Sequence, residues 1–168
     1  MTDPRPEGAE PTSFLELLAV HARIYEQFVD HQEALVARDF GRALERLVAV
    51  RAAFEEHVRG EEELLHELFA RTDEVRGTPL DLFTSEHRHL REGLARFEAA
   101  TRRLDPASPA AARHVIELLD DEALFKAFFR HHDERERNLL YPAFDRSVPA
   151  PERRERLQRF HQGLPPRK

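Results

Sequence analysis

The sequence predicts an all-α fold: an up-down-up-down antiparallel four-helix bundle with a short C-terminal helical extension. Three observations lead there. The strong helix formers Ala, Leu, Glu and Arg dominate a chain with only 6 Gly in 168 residues. Apolar residues recur at spacings of three and four along four long stretches, the pattern of a helix with one buried face. The breaks between these stretches are mostly short, and long helices joined by short connections pack as antiparallel neighbours.

Residues 1–12, with Pro4, Pro6 and Pro11 among acidic residues, read as a disordered tail. Ser13 with Glu16 three residues on fits a capping box. The first helix then carries Phe14, Leu17, Leu18, His21, Ile24, Tyr25 and Phe28 on one face and runs to about Ala37. Asp39 suits the N-cap of a second helix, whose inner side holds Leu44, Leu47, Val50, Phe54, His57, Glu61, Leu64, Leu65, Leu68 and Phe69. Residues 71–77 read as a connection.

Thr78-Pro79 opens a third helix, a cap residue followed by Pro at the first helical position. Leu80, Phe83, His87, Leu90, Leu94 and Phe97 form its inner face, and it ends near Leu104. Ser108-Pro109 opens the fourth in the same way. Its inner face runs Val115, Leu118, Phe125, Phe128, Phe129, His132, Glu136, Leu139 and Leu140, until Pro142 kinks or ends it. Asp120 and Asp121 lie near that face, so a bend is expected there. Residues 13–145 thus make the bundle. Residues 146–168 make a basic tail in which 151–162, with Leu157 and Phe160 as apolar positions, reads as a short helix, docked or frayed.

Composition narrows the function. A net charge of −6 argues against a nucleic-acid-binding module, which shows a basic footprint. With no cysteine, thiolate zinc sites, iron–sulfur clusters and Cys nucleophiles are excluded. The longest apolar runs are a few residues, far short of the roughly 20 a membrane span needs. No apolar segment of the secretory kind follows the N-terminus. A soluble, cytoplasmic protein with neither nucleic-acid nor membrane partner is expected.

The ten histidines carry the chemistry. FEEHVRGEEELLHELF (54–69) lies over FRHHDERERNLLYPAF (129–144) at an offset of 75, both reading F-x-x-H-x-x-x-E-x-x-L-L-x-x-x-F. At an offset of 66, Leu17, His21, Ile24 and Phe28 lie over Phe83, His87, Leu90 and Leu94. The chain reads as two copies of a helical hairpin, each with one His on its first helix and a His-x-x-x-Glu pair on its second. Residues four apart share a helix face, so His57 with Glu61 and His132 with Glu136 point inward among Phe and Leu.

A buried Glu without a partner costs several kcal/mol. Two of them among four His, with no Lys or Arg at neighbouring inner positions, call for cations. A pair of metal ions meets that need, and imidazole with carboxylate suits iron, manganese or zinc. A single His-x-x-x-Glu is weak, since 22 Glu give about one such pair by chance, and exposed pairs of this spacing are ordinary. The repetition on apolar faces is what carries weight. His31, His66, His89, His114, His131 and His161 fall off the inner stripes or in the tail and read as solvated or incidental.

His21, His57-x-x-x-Glu61, His87 and His132-x-x-x-Glu136, followed by Leu140-Tyr141-Pro142, resemble the hemerythrin-like family of HHE cation-binding domains. The resemblance implies a non-haem di-iron centre, oxo- or hydroxo-bridged, with Glu61 and Glu136 as bridging carboxylates and His21, His57, His87 and His132 as terminal ligands. Oxygen-carrying members have a fifth His one turn from the one on the third helix. Here those positions hold Phe83 and Arg91. Of about 12 ligand sites on two octahedral irons, two are then left open, and the centre suits a ligand engaging both metals. Tyr25, one turn beyond His21, is a candidate ligand or hydrogen-bond donor, or else a core aromatic. Glu86 and Glu56 are candidates for outer partners of the ligands.

The expected function is a di-iron protein that binds or turns over O2, peroxide or NO as sensor, scavenger or protective enzyme. Peroxidase-, catalase-like or NO-processing activity falls within that expectation. Iron handling (ferrous oxidation, storage or delivery) is the alternative, although carboxylate-rich bundles of that kind use Glu-x-x-His. A structural helical module without metal is the third.

Overall fold

The computed structural model describes residues 12–72 and 78–162, all helix and connections with no strand among them. The expected disordered tail lies almost wholly outside the described residues, as does most of the 71–77 connection.

The capping box forms as the sequence predicts. Ser13 accepts from the Leu15 amide, and Glu16 reaches back to the Ser13 amide. It opens a 3-10 turn, Phe14–Leu17, which leads into α1, Leu18–Val36. Arg38 follows with φ 58°, in the left-handed region. Its amide donates to Leu35 O (3.0 Å) and the Asp39 amide to Ala34 O (3.0 Å), the two bonds of a Schellman stop. Asp39 then caps α2, Phe40–Leu68, through the Arg42 amide (3.0 Å).

The two Pro-marked starts are shifted. Pro79 is itself the extended cap residue, and α3 is Leu80–Thr101. Ser108 organises a turn by accepting from the Ala110 amide, and α4, Ala111–Arg135, begins just beyond. Pro142 does more than kink the fourth helix. It has no N–H and its ring crowds the carbonyl four residues back, and the preceding turn, Glu136–Leu140, is π-helical, with the Tyr141 amide reaching Glu136 O. The wider turn carries Leu140 and Tyr141 into the interior and leaves Leu139, expected inside, 45% exposed. The acid that faces inward in α4 is Glu122, not Asp120 or Asp121. Two further helices follow: α5, Tyr141–Ser147, and α6, Ala150–Gln162.

α1 packs on α2, α2 on α3, α3 on α4, and α4 returns to α1. The apolar interior falls into two blocks. One gathers Ile24, Phe28, Leu47, Val50, Phe54, Leu90, Leu94, Phe97 and Phe129. The other gathers Phe14, Leu17, Leu65, Leu68, Phe83, Leu140, Tyr141, Phe144 and Leu157. α6 is docked onto the second block through Leu157, and Arg156 pairs with Glu67 and Glu152. Phe160 packs so close to Gly60 that a Cβ there would lie 2.8 Å from its ring, which explains a glycine inside α2. A clasp ties the ends: Ser13 Oγ donates to Asp145 (2.5 Å), the Phe14 amide to the same carboxylate (3.0 Å), and Arg153 to Thr12 O (2.9 Å).

Candidate metal centre

A buried polar layer separates the two apolar blocks. α1 contributes His21, α2 His57 and Glu61, α3 His87, α4 His132, and the π-turn Glu136, each at most 2% exposed. Ligand atoms of His21, Glu61, His132 and Glu136 all lie within 4.8 Å of one another. His57 Nε2 is 2.6 Å from His21 Nε2 and 3.4 Å from Glu61 Oε2. His87 Nε2 is 3.3 Å from Glu61 Oε2 and 3.7 Å from Glu136 Oε1. The six predicted residues converge on one point.

Most of their inward atoms lack hydrogen-bond partners, while the Nε2 atoms of His21 and His57 have only each other. Nε2 of His87 and His132, Oε2 of Glu61 and both oxygens of Glu136 are buried and unsatisfied. They stand close to one another, 2.9 Å for His132 Nε2 and Glu136 Oε1, without the alignment of hydrogen bonds. Buried polar groups in folded proteins are almost always paired, so a cluster of orphaned nitrogen and oxygen lone pairs facing each other fits a bound cation. Four imidazoles, two carboxylates and no thiolate form a donor set for iron, manganese or zinc.

The outward ring atoms are held. His21 Nδ1 donates to Asp133 (3.0 Å), His87 Nδ1 to Glu62 (3.3 Å) and His132 Nδ1 to Glu86 (3.1 Å). An N–H donated outward fixes the tautomer that presents the Nε2 lone pair inward. Each of these carboxylates also meets an arginine: Arg137 on Asp133 (3.1 Å), Arg91 on Glu62 (3.0 Å) and Arg135 on Glu86. Arg91, one turn from His87, thus supports the carboxylate that holds the His87 ring. His57 differs. Its Nδ1 is buried without a partner, and its ring packs edge-on against Phe160, centroids 5.6 Å apart.

Electrostatics follow from this arrangement. Burial pushes the Glu61 carboxyl up, but the His57 and His87 rings outweigh it and hold it well below the usual range. Glu136 is lowered too, with burial and the Glu61 charge opposing and His132 and His21 favouring ionisation. His87 rises to about 11 and His132 to about 9, against burial, through Glu136, Glu61 and their outer carboxylates. Burial lowers His57. Taken by themselves, the side chains therefore reach neutrality with two imidazolium rings facing two carboxylates. Burial and the nearby Glu136 and Glu61 charges keep the Tyr141 hydroxyl protonated, and it donates to Glu61 Oε1.

Tyr25 is half-buried and makes no hydrogen bond to the cluster among the described residues. With Leu18, His21, Ala22, Phe129 and Asp133 it lines a groove of about 380 Å³ that brings the surface to His21. Of the expected outer partners, Glu86 bonds His132 across the bundle, whereas Glu56 is exposed. Asp133, Glu62 and Tyr141 escaped sequence reasoning. Glu62, Glu86 and Asp133 each adjoin a ligand in sequence and serve the ligand of another helix.

His31 is the other correction. Off the narrow stripe and expected to be incidental, it is fully buried. Its Nδ1 donates to Ala43 O (2.7 Å), and its Nε2 lies in hydrogen-bond contact with Glu122 (2.9 Å), itself fully buried. His66, His89, His114, His131 and His161 are exposed.

Helices alone make up the regular structure of the described residues, and the buried His/Glu cluster between them is one that could hold a metal ion. The model of the family described as Hemerythrin HHE cation binding domain matches residues 78–164, just over half of the chain. The chain belongs to that family. The match spans His87, His132, Glu136 and α6; His21, His57 and Glu61 lie outside it. No curated protein and no solved structure matches the chain. No helix among the described residues is long and apolar enough to cross a membrane.

Proposed function

We propose that this chain is a cytoplasmic, hemerythrin-like non-haem di-iron protein that binds or turns over a small oxygen or nitrogen species such as O2, peroxide or NO. His21, His57, His87 and His132 are the terminal ligands in this reading, and Glu61 and Glu136 the bridging ones. The observation that carries it is the set of buried, unsatisfied nitrogen and oxygen atoms turned toward one another in the polar layer. The up-down-up-down bundle over 13–145 belongs to the same proposal. Along α1 and α3 the second apolar block comes before the first, and along α2, and along α4 with its π-turn, the first comes before the second, which supports alternating directions.

Two irons would supply redox capacity and open coordination positions. The chain's own residues do the rest. Asp133, Glu62 and Glu86 hold three rings with Nε2 inward, and Tyr141 orients Glu61. Phe129, its ring 5.5 Å from that of His21 and 6.3 Å from that of His132, keeps water from the cluster. The groove beside Tyr25 gives a small molecule a path to the His21 side.

Metal analysis with an absorption spectrum of aerobically purified protein tests this. About two irons per chain with a near-ultraviolet band are expected, and protein that stays free of iron after growth in iron-replete medium would overturn it. Stopped-flow spectra of the reduced protein with O2, peroxide and NO then separate ligand chemistry from iron handling, for which ferrous iron is consumed with no spectral response to the small ligands.

A further inference from the structure

The carboxylates that hold the outward ring nitrogens form an incomplete circuit. Glu62, beside Glu61 on α2, holds His87 of α3. Glu86, beside His87 on α3, holds His132 of α4. Asp133, beside His132 on α4, holds His21 of α1. Closing the circuit requires a carboxylate on α1 beside His21 to hold His57 of α2. The residues there are Val20 and Ala22, and Val20 stands where the 66-residue register places Glu86. His57 Nδ1 is accordingly buried without a partner, against Phe160.

The rings also sort into pairs. Nε2 atoms of His21 and His57 face each other at 2.6 Å. The His87 and His132 rings lie 4.9 Å apart, both near Glu136 Oε1. The other Glu136 oxygen is 3.5 Å from His21 Nδ1, and Glu61 Oε2 stands between His57 and His87. Each carboxylate therefore lies beside a ring of both pairs. The pairs differ in support: His87 and His132 both rest on arginine-capped carboxylates, whereas only one ring of the other pair does.

We infer that the two ion positions are unequal: the His87/His132 position binds tightly, and the His21/His57 position binds weakly and exchanges its ion. This rests on the di-metal reading of the site and adds which ion leaves first. An outer carboxylate on a ligating imidazole is worth about 10- to 100-fold in metal affinity, and the pairs differ by one such partner.

The test is a titration of chelator-treated full-length protein with Co2+ alone, followed by visible absorption and calorimetry. Two steps separated by about 10- to 100-fold are expected. His57→Ala should abolish the weak step and keep the tight one. Glu62→Gln, at a position 27% exposed and so compatible with folding, should weaken the tight step about 10-fold and narrow the gap, with circular dichroism unchanged. Two ions entering in one step, loss of the tight step in His57→Ala, or equal weakening of both steps in Glu62→Gln would each overturn the inequality while leaving the metal site intact. No Co2+ binding at all would overturn the di-metal reading itself.

Discussion

Metal entering this site has to displace protons, and their number can be worked from the geometry. In chelator-treated protein at pH 7, His87 and His132 are protonated, with values raised to about 11 and about 9. Their two charges balance Glu61 and Glu136. A ligating imidazole must be neutral, so filling both positions releases two protons. Each displaced proton makes apparent affinity rise about tenfold per pH unit. The product of the two binding constants should therefore climb about 100-fold per unit between pH 7 and 9. Above about 9 only His87 still carries its proton, and the slope falls to about tenfold per unit. Calorimetric titration with Mn2+ in two buffers of different ionisation heat counts the protons directly. Release of fewer than one proton at pH 7.5, or a flat affinity between pH 7 and 9, would refute the charge assignment. The stripped protein should show the converse in stability. The raised histidines contribute fully below 6.5, and that contribution is lost as pH rises through about 9 and then 11. The lowered glutamates contribute above 4.5, and theirs is lost as pH falls through their depressed values.

Four other outcomes are expected. Glu122→Leu should cost about 3–5 kcal/mol in urea unfolding, because it leaves His31 Nε2 buried without its partner, and His31→Leu/Glu122→Leu should recover most of the loss; additive single effects would show the pair to be uncoupled. Tyr141→Phe should shift the optical bands of metal-loaded protein, because Glu61 loses its donor, whereas Tyr25→Phe should leave them unchanged; unchanged bands in Tyr25→Phe remove Tyr25 as a ligand. Gly60→Ala should destabilise by about 1–3 kcal/mol despite alanine's helix preference, since its Cβ meets Phe160, and in a Phe160→Ala background the same change should turn stabilising. Arg38→Gly should raise unfolding free energy by about 0.5–1 kcal/mol by relieving the left-handed backbone at the end of α1; a lower thermal midpoint would count against that strain.

The parts legible in the sequence are those set by local rules. The capping box at Ser13 and the cap at Asp39 follow from side-chain reach within one turn. The inward direction of His57, Glu61, His132 and Glu136 follows from helical periodicity. Leu139 was misplaced because an unbroken 3.6-residue period does not know of the wider turn before Pro142. His31 was misjudged because α1 buries a broader face than its Leu/Phe stripe, down to a partner 91 residues away on α4. Glu62 and Asp133 lie out of reach for the same reason, and Glu86, a candidate outer partner, takes the ring of His132 and not that of its neighbour His87: each meets a ring on another helix, and that contact depends on how the helices are rotated against each other.

The clasp of Thr12, Ser13, Asp145 and Arg153 bears on how the molecule responds to tension. Pulling on the two ends in an optical trap loads this short set of bonds in series with the docking of α6, so these part first. The first extension event should be small, and its force should be indifferent to added metal ions, because the load reaches the interior only after the clasp has opened.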